Sequence, residues 1–540
     1  MPNHTGSDSR AICEQCYILL SLTYYYRWKY KKIQCDPCFI YVNCINAAGV
    51  GHNFSGVVIL RKKKEQGIDL RLIQERLKDC TDLKRKNVFI EEKHEAWFFY
   101  IHENIDNDLL QRDFIAPIIN MNYKQLSDEK VVKNIPNGSI KLVYTTDEAV
   151  KEIFSGSAVF VFELIPYAIA CKIDKVEKRT LEEPSTEKNI RGPHEGFLEV
   201  LEANIGILRR KIRSDALKFK TVTLGKITNQ TVAIAYIEGI ANKDLVEGLY
   251  KKISSIELDG MPAIGYIEQS IITHPNSLFP QFLNTERPDK AMAALLEGRI
   301  VILMDGTPVV LIAPVTFISF FQTLDDYSNP WLLGSFLRVV RILGGIFIAV
   351  FMPALYIAIT SFHYYAVPLE LLLNLAKSRT VVPLPPIFEI LILEITVELI
   401  REAAIRLPTY IGTAVSVFAG LIIGQAAVEA GIVSNLVIVI VAATATASYV
   451  VPSTDMALSI RIVKFIFILA ASIFGIIGIV ACTTFTVGHI IVLDSLGQPY
   501  FTPFSPFSLR GLKDSLVRLP LKKQMIRPEE TKTGKKVRSE

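Results

Sequence analysis

The chain predicts an α/β plus helical membrane protein, in which two repeated α/β subdomains are followed by a multi-span transmembrane helix bundle. Three observations predict it. Of the 540 residues, 50% are apolar and 21% charged, and the two kinds are segregated along the chain. A pattern of residues recurs at fixed offsets between Asp69 and Pro314. Beyond Asp325-Asp326-Tyr327, apolar runs of bilayer-spanning length flank a helix with evenly spaced glutamates.

Residues 1–65 form a cysteine-bearing extension of uncertain order, unlike everything that follows. Cys13-x-x-Cys16 and Cys35-x-x-Cys38 stand eighteen residues apart, a spacing that suits a four-cysteine zinc ribbon. The intervening run, YILLSLTYYYRWKYKK, is aromatic and has no Gly-rich knuckle turns, so no metal is assigned. Met1–Arg10 is polar and lacks the basic start and apolar core of a signal peptide, which places the N-terminal region in the cytosol. Five of the eight cysteines fall in the first 44 residues, a distribution that fits a reducing compartment better than a disulfide framework.

The first α/β subdomain spans 69–173 and the second 191–320. Tyr100-Ile101 and Asp108-Leu109 recur as Tyr236-Ile237 and Asp244-Leu245. Asp147, Ala149, Gly156, Val159 and Pro166 recur as Asp289, Ala291, Gly298, Val301 and Pro308. Each copy reads helix, strand, helix, then helix, Gly, strand, turn, strand. Gly156 and Gly298 are placed to end a helix in the left-handed conformation. The Val- and Ile-rich runs after them suit buried strands, and Asp305-Gly306 suits a tight hairpin. The linker 174–190, rich in Lys, Glu, Thr and Pro, is expected to be exposed. Two lobes so joined can enclose a small-ligand cleft or serve as docking modules.

No catalytic pattern is present: there is no phosphate-cradling Gly-rich loop, nucleophile elbow or His-based metal motif. Arg209, Arg210, Lys211 and Arg213 cluster on one helix, a run that reads as a solvated face rather than a nucleic-acid site.

The transmembrane domain covers 335–495. Candidate spans are Ile342–Ser361, Ile411–Ala430, Leu436–Val451 and Ile462–Val492, with Pro383–Pro408 as a fifth membrane element. Within that element Glu394, Glu398 and Glu402 recur every four residues and so share a helix face, and Arg406 is set to pair with Glu402. Ionisable groups at membrane depth are costly and face a bundle interior, a water-filled path or the interface. Two roles stay open. In an oligomer Glu394 or Glu398 can form a cation-attracting ring; alternatively, the carboxylates pair with Arg401, Arg406, Arg461 or Lys464 and brace the bundle. The tail 496–540 carries Lys513, Arg518, Lys522, Lys523 and Arg527 among its cations, which places it in the cytosol. With both ends inside, the number of crossings is even, and four full spans are expected.

Several stretches together resemble the GerA family, the A subunits of bacterial spore germination receptors. They are RGPHEGF (191–197), ERPDKAMAALLEGR (286–299), MDGTPVVLIAPVTF (304–317), PLPPIFEILILEITVELIREAAIRLP (383–408), IGQAAVEAGIVS (423–434) and GQPYFTPFSPF (497–507). The resemblance covers roughly residues 70–520 and excludes the cysteine extension. It implies a non-enzymatic, multi-pass subunit of the spore inner membrane, in contact with membrane lipid. The implied partners are a transporter-like B subunit, a lipoprotein C subunit and further copies of the chain. It implies no cofactor, no catalytic residue and no nucleic acid. In this resemblance nutrients are sensed mainly through the B subunit, and the A subunit assembles into an ion-passing oligomer. Two other readings are an A-subunit-like protein of the dipicolinate-release machinery and a secondary transporter with cytosolic regulatory lobes.

Overall fold

The computed structural model describes residues 68–538, apart from positions 79, 92–93, 103–104, 128–130, 133–134, 136–138, 163–164, 174–183, 185–186, 188–190, 510 and 529–530. Cys13, Cys16, Cys35 and Cys38 lie outside the described residues, as does most of the 174–190 linker. The two linker positions that are described run against expectation: Pro184 is buried and Glu187 largely so.

Lobe 1 begins with helix α1 (Leu70–Arg76), capped by the Asp69 carboxylate. Strands β1 (Leu83–Ile90) and β2 (His94–Ile101) lead to α2 (107–119), which carries a π-helical turn at Gln111–Ile115. Then come α3 (Tyr123–Leu126), β3 (Ile140–Val143), α4 (Thr146–Phe154), β4 (Ser157–Phe162) and β5 (Ala168–Lys172). Lobe 2 repeats the order with α5 (Leu201–Lys211), β6 (Leu217–Leu224), β7 (Gln230–Ile237), α6 (Lys243–Ser254), α7 (Ile264–Ile271), β8 (Leu283–Thr285), α8 (Pro288–Leu296), β9 (Ile300–Met304) and β10 (Val310–Ala313).

The sheets are topological copies. Lobe 1 runs β1-β2-β4-β5-β3 and lobe 2 runs β6-β7-β9-β10-β8, with antiparallel pairing throughout. Trp97 faces Val161 across the first sheet, and Ala233 faces Leu303 across the second, at positions the repeat makes equivalent. Gly156 (φ 90°) and Gly298 (φ 86°) each follow a helix in the left-handed conformation, as their spacing predicts. The sequence pattern had no place for four of the strands: β1, β3, β6 and β8. Residues Lys84 to Lys86 of β1 are all exposed, so charge on an edge strand masks its period.

The lobes meet at a buried ion pair. Arg209 on α5 reaches Asp82 of lobe 1 through Nε (2.8 Å) and Nη2 (2.9 Å), and donates Nη1 to the carbonyls of Ser214 and Leu217. Neither side chain of the pair is exposed, and the guanidinium packs against the Phe154 and Phe219 rings. Arg209 therefore departs from the solvated-face reading of its basic run. Buried charge is tolerated because it is paired and its donors are satisfied.

No linker separates lobe 2 from the helices that follow. One core runs from Leu217, Val301 and Ile312 through the aromatic turn Phe317–Phe321 to Ile342, Val437, Phe467 and Tyr500. The helices are α9 (Trp331–Ser361), α10 (Leu369–Arg379), α11 (Pro386–Arg406), α12 (Thr409–Glu429), α13 (Asn435–Ser448) and α14 (Thr454–Val492). Among the described residues, α9 and α14 are long and apolar enough to cross a membrane, and α13 is a shorter apolar helix.

Helix α14 reverses on itself. Ser459 donates to the Leu278 carbonyl and His489 pairs with Ser277 (3.0 Å), so both ends of α14 reach adjacent residues of one loop. A straight helix would separate 459 from 489 by about 45 Å. The reversal sits at Gly475, whose φ of 59° and ψ of −137° are not helical. The expected single span Ile462–Val492 is thus two legs. The tail returns to the lobe end of the bundle, where Arg518 donates to the carbonyls of Asp326 and Asn329, and Arg527 to that of Leu296.

Candidate functional site

Pro386 stands at the start of α11, where its missing N–H leaves no partner unmet, and Leu407, extended before Pro408, ends it. The helix runs from the end of the bundle far from lobe 2 toward the lobe. Its carboxylates pass from sealed to open along that course.

Glu389 is fully buried: the Ser434 backbone N–H donates to it at 3.0 Å, and Arg379 Nη2 stands 3.2 Å away. Glu394 is also fully buried, pairs with Lys464 of the first leg of α14, and accepts from Thr444 Oγ1 of α13 at 3.0 Å. Glu398, partly exposed, is shared by Arg401 (2.8 Å) and Arg461 (2.9 Å). Arg401 in turn donates to Tyr449 Oη (3.0 Å) and Ser448 Oγ (3.1 Å), and its guanidinium lies over the Tyr449 ring. Glu402 and Arg406 form an exposed pair one turn apart.

The four residues singled out from the sequence, Glu394, Glu398, Glu402 and Arg406, therefore do not form one constellation. They are successive rungs: Glu394 and Glu398 take their cations from other positions, and Glu402 and Arg406 pair with each other. The cations named as possible braces (Arg401, Arg406, Arg461 and Lys464) all hold one of these carboxylates. Glu389 was missed because it lies five residues before Glu394 and so outside the four-residue rhythm.

A second polar cluster joins lobe 2 to the two feet of α14. His274 Nε2 lies 2.8 Å from Asp494 Oδ1, and Asn284 donates to Asp455 at 2.7 Å. Beside them burial pushes the Glu268 carboxyl up to about 7; the nearby Asp455 charge adds to the rise and an Asn284 hydrogen bond opposes it. No local signal marks these residues, because 171 to 220 positions separate the partners. Among the described residues, no group of three or more His, Cys, Asp or Glu side chains is arranged to hold a metal ion.

Comparison with known proteins shows the family of this chain. Residues 71–530 match the family described as Bacillus/Clostridium GerA spore germination protein. Spore germination protein KA of Bacillus subtilis (strain 168) is 38% identical over 442 residues, covering 81% of each chain. The protein of the same organism described as uncharacterized membrane protein YfkQ is 36% identical over 427 residues, 79% of this chain and 83% of that one. Among solved structures, the N-terminal domain of the A subunit of the Bacillus megaterium spore germinant receptor GerK3 is 28% identical. It covers 46% of this chain and 94% of that one, with a TM-score of 0.36.

Proposed function

The chain belongs to the GerA family of spore germination proteins, and from that premise we propose that it is the A subunit of a germinant receptor, coupling nutrient sensing to ion release across the membrane. What carries the coupling is the continuous core between lobe 2 and the helices. A change imposed on the lobes reaches α9, α11 and α14 through packed side chains rather than through a flexible linker.

In this reading the helices make six passes: α9, α11, α12, α13 and the two legs of α14. The four full spans expected from the sequence become six because α14 counts twice and the acidic helix crosses fully. Large apolar side chains face outward along these helices, among them Phe347, Leu399, Val439, Ile473, Ile477 and Phe485, as a lipid-facing surface requires. Lobes and basic tail lie at one end of the bundle, the cytosolic end by its positive charge. The partners are a transporter-like B subunit, a lipoprotein C subunit and further copies of the chain. Glu394 and Lys464 lock α11 to α14 and α13. Glu398, Glu402 and Arg406, progressively more open, are the groups available to an aqueous ion path.

The test is ion flux from liposomes holding the purified chain, alone and with its B and C partners. Nutrient-dependent flux that needs the partners is expected. Absence of flux from a fully assembled complex would make the chain a signalling subunit instead.

A further inference from the structure

Between lobe 2 and the near ends of the helices lies a cavity of about 880 Å³. Its walls divide by chemistry. Val397, Ile400 and Ala404 of α11 and Ala457 of α14 make an apolar side, while Arg287 just before α8, Lys290 of α8, Arg401 and Arg461 make a cationic one. Arg287 is neutralised by Asp289 at 2.6 Å and Lys290 by Glu187 at 2.9 Å. Arg401 and Arg461, however, share the single carboxylate of Glu398. One positive charge is left over. Arg461 spends Nη1 on Glu398 and Nε on the Ala457 carbonyl, and its Nη2 has no protein acceptor among the described residues.

We propose that this cavity holds one anionic phospholipid, with its phosphodiester on Arg461 and its acyl chains along α11 and α14; the inference rests on the membrane reading above. The charge matches: a phosphodiester brings one negative charge to a site that offers one positive charge. A free phosphate dianion would bring two, and would leave the apolar wall in water. The place matches as well, since basic pockets between helices at the cytosolic face suit anionic headgroups.

The full chain is reconstituted in nanodiscs of phosphatidylcholine with and without phosphatidylglycerol, and lipid retained after detergent exchange is read by native mass spectrometry. Wild type is expected to keep one phosphatidylglycerol per chain and to keep no phosphatidylcholine. Arg461→Gln, which removes the surplus charge, is expected to lower retention at least tenfold. Ala404→Trp fills the cavity and leaves every ion pair intact, so it tests the site even where Arg461→Gln fails to fold; it should show the same loss.

Unchanged retention in Ala404→Trp overturns the proposal. So does inorganic phosphate or glycerol phosphate raising the thermal midpoint as much as the lipid does, which would make this a soluble-anion site. A lipid-free oligomer that Ala404→Trp dissociates would give the cavity to a second copy. A chain that enters no bilayer of either composition would refute the membrane reading itself.

Discussion

Arg209→Met would test whether the two lobes are held by one buried charge pair. The wild-type guanidinium makes two bonds to Asp82 and two to carbonyls, with no exposure on either partner. The methionine keeps the aliphatic packing between Phe154 and Phe219 and removes the charge. Asp82 is then an unpaired buried anion, and losses of this kind cost about 3–5 kcal/mol. For a cooperative unit of 150–250 residues that lowers the midpoint by roughly 6–20 °C. Replacing both partners, Arg209→Met with Asp82→Leu, removes the stranded charge and should recover most of the loss, because such replacements are often neutral or stabilising by about 1–4 kcal/mol. Scanning calorimetry of the full chain in detergent reads both midpoints, and proteolysis within 174–190 reads the opening of the lobes. A single variant within about 1 kcal/mol of wild type, or a double variant as damaged as the single, would refute this account of the interface.

Three further perturbations separate roles that geometry alone leaves joined. Lys464→Met strands Glu394 and should destabilise the helical region by about 3–5 kcal/mol, whereas Glu394→Leu with Lys464→Leu should restore it. Unchanged ion flux in that restored variant would make the pair a brace, and altered selectivity would put Glu394 on the ion path. Glu268 is more easily protonated in the folded chain than in the unfolded one. Its share of stability is therefore full below the ordinary value of 4.5 and is lost as pH rises toward about 7. Glu268→Gln should flatten that slope in a series of thermal midpoints; an unaltered slope would remove Glu268 from the explanation. Gly475→Ala forces a Cβ into φ 59°, ψ −137° and to 2.8 Å from the His363 ring, so a loss of at least about 1–3 kcal/mol is expected in denaturant titrations.

The repeat was legible because helix ends and buried strands carry local marks. Gly156 and Gly298 stand where only a residue tolerant of positive φ fits, and β4 and β9 are buried at every position. The edge strands were not legible: the lysines of β1 read as loop. Of the expected spans, α9 and α14 have the length and apolarity to cross a membrane among the described residues, and α13 is shorter. The reversal of α14 was not legible, because nothing local sets Gly475 apart from Gly478 and Gly488 in the same run. On α11 the rhythm of Glu394, Glu398 and Glu402 was visible, yet their environments were not. Those environments depend on Lys464, Thr444 and Arg461, brought in from elsewhere in the fold.

The folded-back α14 has a mechanical consequence. Both of its feet are tied to lobe 2, through Asn284 and Leu278 at one and Ser277 and His274 at the other, while its bend lies against Phe362 and His363. It is a lever with a double fulcrum. Each arm is roughly 25–30 Å long, so a lobe rotation of about ten degrees displaces the tip by ~5 Å, close to one helical turn. Because the two arms share their anchorage, they swing together and do not splay. Motion gathered at lobe 2 would thus be delivered, enlarged, to the far end of the helical region, where Gly475 meets the end of α9.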